Sequence, residues 1–388
     1  MALPELLERC EALLRDVDLH AVRDWKARHP GKKAIGFLPI YVPRELIDAV
    51  GALPVGIMGG GEDLEIIRGD AYFQSYICHL PRSVVEMLLT GRMDCLDGML
   101  FPAICDVIRN LSGMWQMLKP GVFVRYFDPP QNFDPKVGGE FYQGELRALW
   151  QDLCTLAGTQ PDEAALRCSI ARYNDNRRLI EELYQLRREA PWRVPSSESY
   201  LVVRASNLLP VDEHSQLLRD YLALARTTER PRRDQSRVLL TGSFCEQPPL
   251  GLIKTLERAG CALVDDDFVL GTRFLRGDVR TDGDPIQALA DAYIQTAVLT
   301  SARYEPKGDR GEQLCQRVRE TQAEGVIFAA ASFCDPALLE RSILSEGLKK
   351  GGIPAMACKF SENSGQFQTI REQAGTFSDA LKLWQGEA

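Results

Sequence analysis

A repeated order of elements constrains this chain most. The run AIGFLPIYVPRELIDAVGALPV reads as an apolar strand, a loop bearing proline, an amphipathic helix, a glycine and a second strand. VLLTGSFCEQPPLGLIKTLERAGCALV repeats that order some two hundred residues later. DGMLFPAICD and EGVIFAAASFCD match almost residue for residue, and each leads from a strand into a helix, DVIRNLSGMWQMLK in one and PALLERSILSEGLKKG in the other. Short uninterrupted apolar runs alternating with helical periodicity are the signature of βαβ units with a buried parallel sheet. The expected class is therefore α/β, two duplicated doubly wound parallel-sheet domains joined by a helical insert. The expected boundaries are N-terminal helices over 1–32, a first α/β domain over 33–130, a helical insert and connector over 131–236, and a second α/β domain over 237–388.

Within the insert, a long helix is expected from Thr159, as N-cap, to about Ala190, and another over Ser197 to Arg226. FDPPQNFDPKVGGEF reads as a connector, and ERPRRDQSR as a solvated linker. The 388 residues carry a net charge of −8, with the basic residues otherwise scattered, which argues against nucleic acid as the partner. No stretch approaches the ~20 apolar residues of a membrane span, and the N-terminus lacks the apolar centre of a signal peptide. A cytoplasmic chain is expected. Its eleven cysteines should then be reduced thiols or metal ligands rather than a disulfide framework.

Cys105 and Cys334 occupy equivalent places in the two copies, past the carboxyl end of a strand and ahead of a helix. In open α/β sheets ligands bind at that edge. The Asp after each cysteine reads as the helix N-cap. Cys78 lies in QSYICHLPRS among Ser75, Tyr76 and His79, with Pro81 expected to hold the helix off until SVVEMLLTG, and a core thiol seldom has such polar company. Cys10, Cys95, Cys154, Cys168, Cys245, Cys261, Cys315 and Cys358 read as small buried apolar residues. There is no CxxC, so zinc-ribbon, ferredoxin and thioredoxin-like readings fail; a site built from distant loops stays open. GIMGGGEDLE reads as a tight turn, GSFCEQPP is not a hydrolase elbow, and no Walker A sequence occurs. Four histidines are too few for a histidine-rich metal site, and His214 reads as a surface helix residue.

The segment GFLPIYVPRELIDAVGALPVGIMGGGEDLEIIRGDAYFQSYICHLPRS, then MDCLDGMLFPAICDVIRNLSGMW, RYNDNRRLIEEL, VIFAAASFCDP and GQFQTIREQAGTF, resembles the smaller catalytic (C or gamma) subunits of class I ATP-dependent benzoyl-CoA reductases, within the 2-hydroxyacyl-CoA dehydratase family. The resemblance implies one 4Fe-4S cluster held by Cys78, Cys105 and Cys334. It implies an aromatic acyl-CoA substrate, a larger homologous catalytic subunit, ATPase activator subunits with a bridging iron-sulfur cluster, and ferredoxin as the electron source. The implied reaction reduces benzoyl-CoA to a cyclic dienoyl-CoA; the alternatives are a 2-hydroxyacyl-CoA dehydratase subunit and a non-catalytic scaffold subunit. Tyr76 and His79 are candidate proton donors beside Cys78. Many relatives carry a further cysteine in a Tyr-x-Pro-Cys-like segment; here RYEPKGDRG, around Tyr304 and Pro306, has none. The three sulfurs should therefore share one site, and no other cysteine should join them.

Overall fold

The computed structural model describes residues 2–38, 40–268, 274–297, 309–361 and 367–385, so the segment around Tyr304 and Pro306 lies outside the described residues. Two helices open the chain, α1 (Leu3–Leu14) and α2 (His20–Arg28). The first half then runs β1 (Ala34–Phe37), α3 (Arg44–Ala49), β2 (Leu53–Gly56), α4 (His79–Leu89), β3 (Gly98–Pro102), α5 (Asp106–Leu118) and β4 (Phe123–Phe127). Its strands form a parallel sheet in the order β2-β1-β3-β4, with Ala34 beside Leu53, Ile35 beside Gly98 and Gly98 beside Phe123. The three strands away from the β4 edge are buried along their whole length, which is why they read as unbroken apolar runs.

Four helices follow: α6 (Glu140–Ala157), α7 (Glu163–Glu189), α8 (Ser196–Arg204) and α9 (Val211–Thr227). Three expectations fail in this region. The segment read as a connector winds into a single π-type turn at Pro135–Gly139 and passes straight into α6. The N-cap of α7 is Asp162 rather than Thr159, since its carboxylate accepts from the Ala164 and Ala165 amides. The helix expected over Ser197 to Arg226 is two helices. Pro210, which has no N–H to donate and fixes its own φ, sits at the N-cap of α9 and separates it from α8.

The second half repeats the first: β5 (Ser236–Thr241), α10 (Leu250–Arg258), β6 (Cys261–Asp266), α11 (Pro285–Thr296), α12 (Arg310–Thr321), β7 (Gly325–Ala331), α13 (Asp335–Lys350), β8 (Ala355–Phe360) and α14 (Gln368–Gln385). Its parallel order, β6-β5-β7-β8, is the first sheet's order over again. The fold is α/β, and its two four-stranded sheets are consistent with duplication. Helices α12 and α13 cross with their backbones touching: a Cβ added at Gly347 would overlap the Gly311 Cα.

Helix α7 fastens the halves together. Toward its start Ser169 donates to the Glu45 carbonyl, and at its middle Arg177 pairs with the carboxylate of the same residue at 2.6 Å, which ties α7 to α3. Toward its end, Tyr184 donates to Asp266 at 2.6 Å and Arg187 pairs with the same carboxylate at 2.6 Å, at the end of β6. The Arg187 and Asp266 side chains are essentially solvent-free. His214, expected on the surface, is buried, because α9 turns that face onto α7 and α8: Nδ1 lies 2.9 Å from the Asn176 side-chain nitrogen and Nε2 3.0 Å from the Val202 carbonyl.

Candidate metal centre

In each sheet the chain leaves the first strand toward one side and the third strand toward the other, so the loops after β1 and β3, and after β5 and β7, part from each other and leave a crevice. Cys105 follows β3 and Cys334 follows β7. Both are N-cap residues, of α5 and α13, and Cys78 is the N-cap of α4. Asp106 and Asp335, expected to cap, stand instead at the first helical position, where a carboxylate still faces the positive end of the helix. Helix α4 begins at His79, four residues ahead of Ser83, since Pro81 falls in the first turn, where no helical N–H bond is lost.

These cysteines are electrostatic neighbours. Burial pushes the Cys78 thiol up, and Cys334, Glu246 and Cys105 push it further. Cys105 moves the other way, to about 7: the Cys245 thiol within hydrogen-bonding reach favours its thiolate, burial opposes, and the Ile108 and Val107 amides of the α5 first turn add to the lowering. Cys245 is pushed well up by burial and by its contact with Cys105, and it also senses Cys334 and Cys78. Cys78, Cys105 and Cys334, expected at one site, are thus electrostatic neighbours, and Cys245, read as an ordinary core thiol, lies among them. Cys245 is buried as expected, but beside a thiol cluster. The duplication carried the signal: the loop after β5, like the loop after β7, lies at the crevice.

Cys10, Cys95, Cys154, Cys261, Cys315 and Cys358 are buried as read, whereas Cys168 is exposed, on the outer face of α7. Among the described residues no three His, Cys, Asp or Glu side chains converge tightly enough to hold a single metal ion. A polynuclear cluster asks for a wider arrangement, because each thiolate binds a different iron.

Glu246, a residue the sequence reading passed over, crosses from the second half to the first. Its Oε2 accepts the His79 and Leu80 amides at 3.0 and 3.3 Å and so caps α4 in place of the Cys78 side chain. The approach to Cys78 is held by Glu86, whose Oε2 accepts the amides of Ile67, Arg68 and Gly69 at 3.0, 2.6 and 2.8 Å, and by Arg82, which donates to the Ile77 carbonyl. His79 is buried at the first helical position, and Tyr76 is 63% exposed on the loop before it. Phe333, next to Cys334, is exposed and left-handed at φ 64°, a conformation that only a tight local turn would impose on a phenylalanine.

Residues 39–381 match the family model for the 2-hydroxyglutaryl-CoA dehydratase D-component. The chain belongs to this family. Among its relatives, a benzoyl-CoA reductase subunit of Thauera aromatica, the one designated C, is 54% identical over 99% of this chain and 100% of its own length. The beta subunit of (R)-2-hydroxyglutaryl-CoA dehydratase of Acidaminococcus fermentans is 30% identical over 92% of this chain and 94% of its own. The beta subunit of lactoyl-CoA dehydratase of Anaerotignum propionicum is 28% identical over 97% of this chain and 100% of its own. Each of the three is named as one subunit of an enzyme that acts on a CoA thioester. Among the described residues, no helix of this family member is long and apolar enough to cross a membrane.

Proposed function

We propose that this chain is a catalytic subunit of an ATP- and ferredoxin-dependent benzoyl-CoA reductase, holding one 4Fe-4S cluster on Cys78, Cys105 and Cys334 and taking part in the reduction of benzoyl-CoA to a cyclic dienoyl-CoA. The observation that supports the reading is that the N-cap cysteines of α4, α5 and α13, drawn from both halves, are electrostatic neighbours. The 54% identity to a reductase subunit, against 28–30% to dehydratase subunits, favours reduction over dehydration.

Helix N-termini at the thiols favour the anionic form a metal cluster needs, and Cys105, held near 7, is ready to give up its proton. The donor set, all sulfur and mostly buried, fits an iron-sulfur cluster better than a hard cation. When bound, the cluster would supply single electrons at low potential. The chain's own part is to keep the crevice dry and to hold the loops that meet there. Glu246 does this across the halves and Glu86 within the first. Of the two candidate proton donors, Tyr76 has the exposure to meet an incoming ring or a partner, while the burial of His79 supports ordering the cysteine loop. Exposed Phe333, Leu339 and Ile343, at and beyond the start of α13, support a partner surface beside the site, in keeping with a larger related catalytic subunit and an ATPase that delivers electrons from ferredoxin.

Anaerobic purification with iron and sulfide analysis tests the site. Cys78→Ala, Cys105→Ala or Cys334→Ala should each lose most of the iron, and Cys95→Ala, Cys261→Ala or Cys358→Ala should keep it. Full iron in the first set would refute the ligand assignment. Product analysis tests the reaction: net electron uptake with a dienoyl thioester is expected, whereas an enoyl thioester without electron uptake would make the chain a dehydratase subunit, and neither product a scaffold.

A further inference from the structure

The loop from β5 to α10 is anchored on both sides of Cys245. Before it, the Ser243 hydroxyl donates to the Ala329 carbonyl at 3.3 Å, on the strand that leads to Cys334. After it, Glu246 accepts the first amides of α4, the helix that Cys78 caps. Between these anchors the Cys245 side chain is buried, an electrostatic neighbour of Cys105, Cys334 and Cys78. A filler residue at this point needs only small volume, and alanine or valine would supply it without setting one thiol against another. We infer that Cys245 is a fourth ligand of the cluster, binding the iron that Cys78, Cys105 and Cys334 leave open.

This inference rests on the cluster reading above and sharpens it. Coordination exchanges an iron-bound hydroxide for the thiol: the sulfur binds iron, its proton passes to the departing hydroxide, and water leaves. No electron moves. A cluster closed by four thiolates passes electrons but offers no iron to a substrate. The chain is then the relay of its complex, and the iron that meets the thioester belongs to a partner. Placing a thiolate between two fixed backbone anchors also gives the loop little freedom to withdraw it, so the closure would be permanent rather than switched.

The test uses the full chain purified without oxygen together with whatever subunits accompany it. Iron per chain and the electron paramagnetic resonance of three-iron clusters are read before and after a limited dose of ferricyanide, in wild type and in Cys245→Ala. Wild type is expected to keep its iron, while the variant loses about one iron in four and shows the three-iron signal. Equal behaviour of the two, whether both lose that iron or both keep it, overturns the inference and leaves the cluster reading standing. Wild type without stoichiometric iron overturns the cluster reading itself. If circular dichroism shows the alanine variant unfolded, Cys245→Ser, which differs by one atom, carries the same comparison.

Discussion

His214 is held neutral by its surroundings. Burial lowers its pKa from 6.5 to about 4, more than offsetting the raising effect of its bond to the Val202 carbonyl, and Arg44 lowers it a little further. That bond requires Nε2–H, leaving Nδ1 to accept from Asn176. Because the folded pKa lies below the unfolded one, the native state binds fewer protons between the two values. The contribution to stability is complete above pH 6.5 and is lost as pH falls toward 4, a change on the order of 3 kcal/mol. His214→Gln should flatten the dependence of unfolding free energy on pH across that window, measured by urea titration; a slope equal to wild type would show that the imidazole titrates normally. The sequence concealed this residue because VDEHSQLLRD is polar at most positions, and polarity says nothing about which face meets a neighbouring helix. Cys168 is the opposite case, a thiol read as core that faces solvent on α7.

Among the elements, α4 depends on a carboxylate in its interior as well as on the one at its start. Glu86 gathers three backbone N–H groups from residues 67–69, and Gly69 permits the approach: a Cβ there would collide with the Arg82 carbonyl oxygen. Glu86→Gln puts an amide donor among those donors and should cost about 1–3 kcal/mol, read as an earlier urea midpoint together with faster proteolysis at 67–69. An unchanged midpoint would mean that water replaces the carboxylate at no cost. Strands were legible because buried parallel strands leave uninterrupted apolar runs, while their order within each sheet came only with the structure. Helix starts were less so. Asp after cysteine looks like a cap when it stands at the first helical position, and Asp162 took the role assigned to Thr159 because both can supply a capping oxygen and only the path of the chain chooses between them. Of the site, Cys105 and Cys334 were visible as equivalent strand ends. Cys245 was legible only through the duplication, which sets its loop beside that of Cys334, and Glu246 was not, because the amides it accepts belong to the other half.

For the whole molecule, the decisive link is α7, 27 residues and about 40 Å long, with α3 of the first half near its start and β6 of the second near its end. Asp266→Asn leaves Arg187 as a buried cation without its counter-charge. The expected cost is about 3–5 kcal/mol, seen as a lower thermal midpoint. A midpoint within error of wild type would show that Asp265 takes over the pairing. The helix works like the pivot of a pair of tongs whose tips carry sulfur. The tips belong to different halves, so a change of tension in the handle should be felt at the tips, and a load placed between the tips should be felt along the handle.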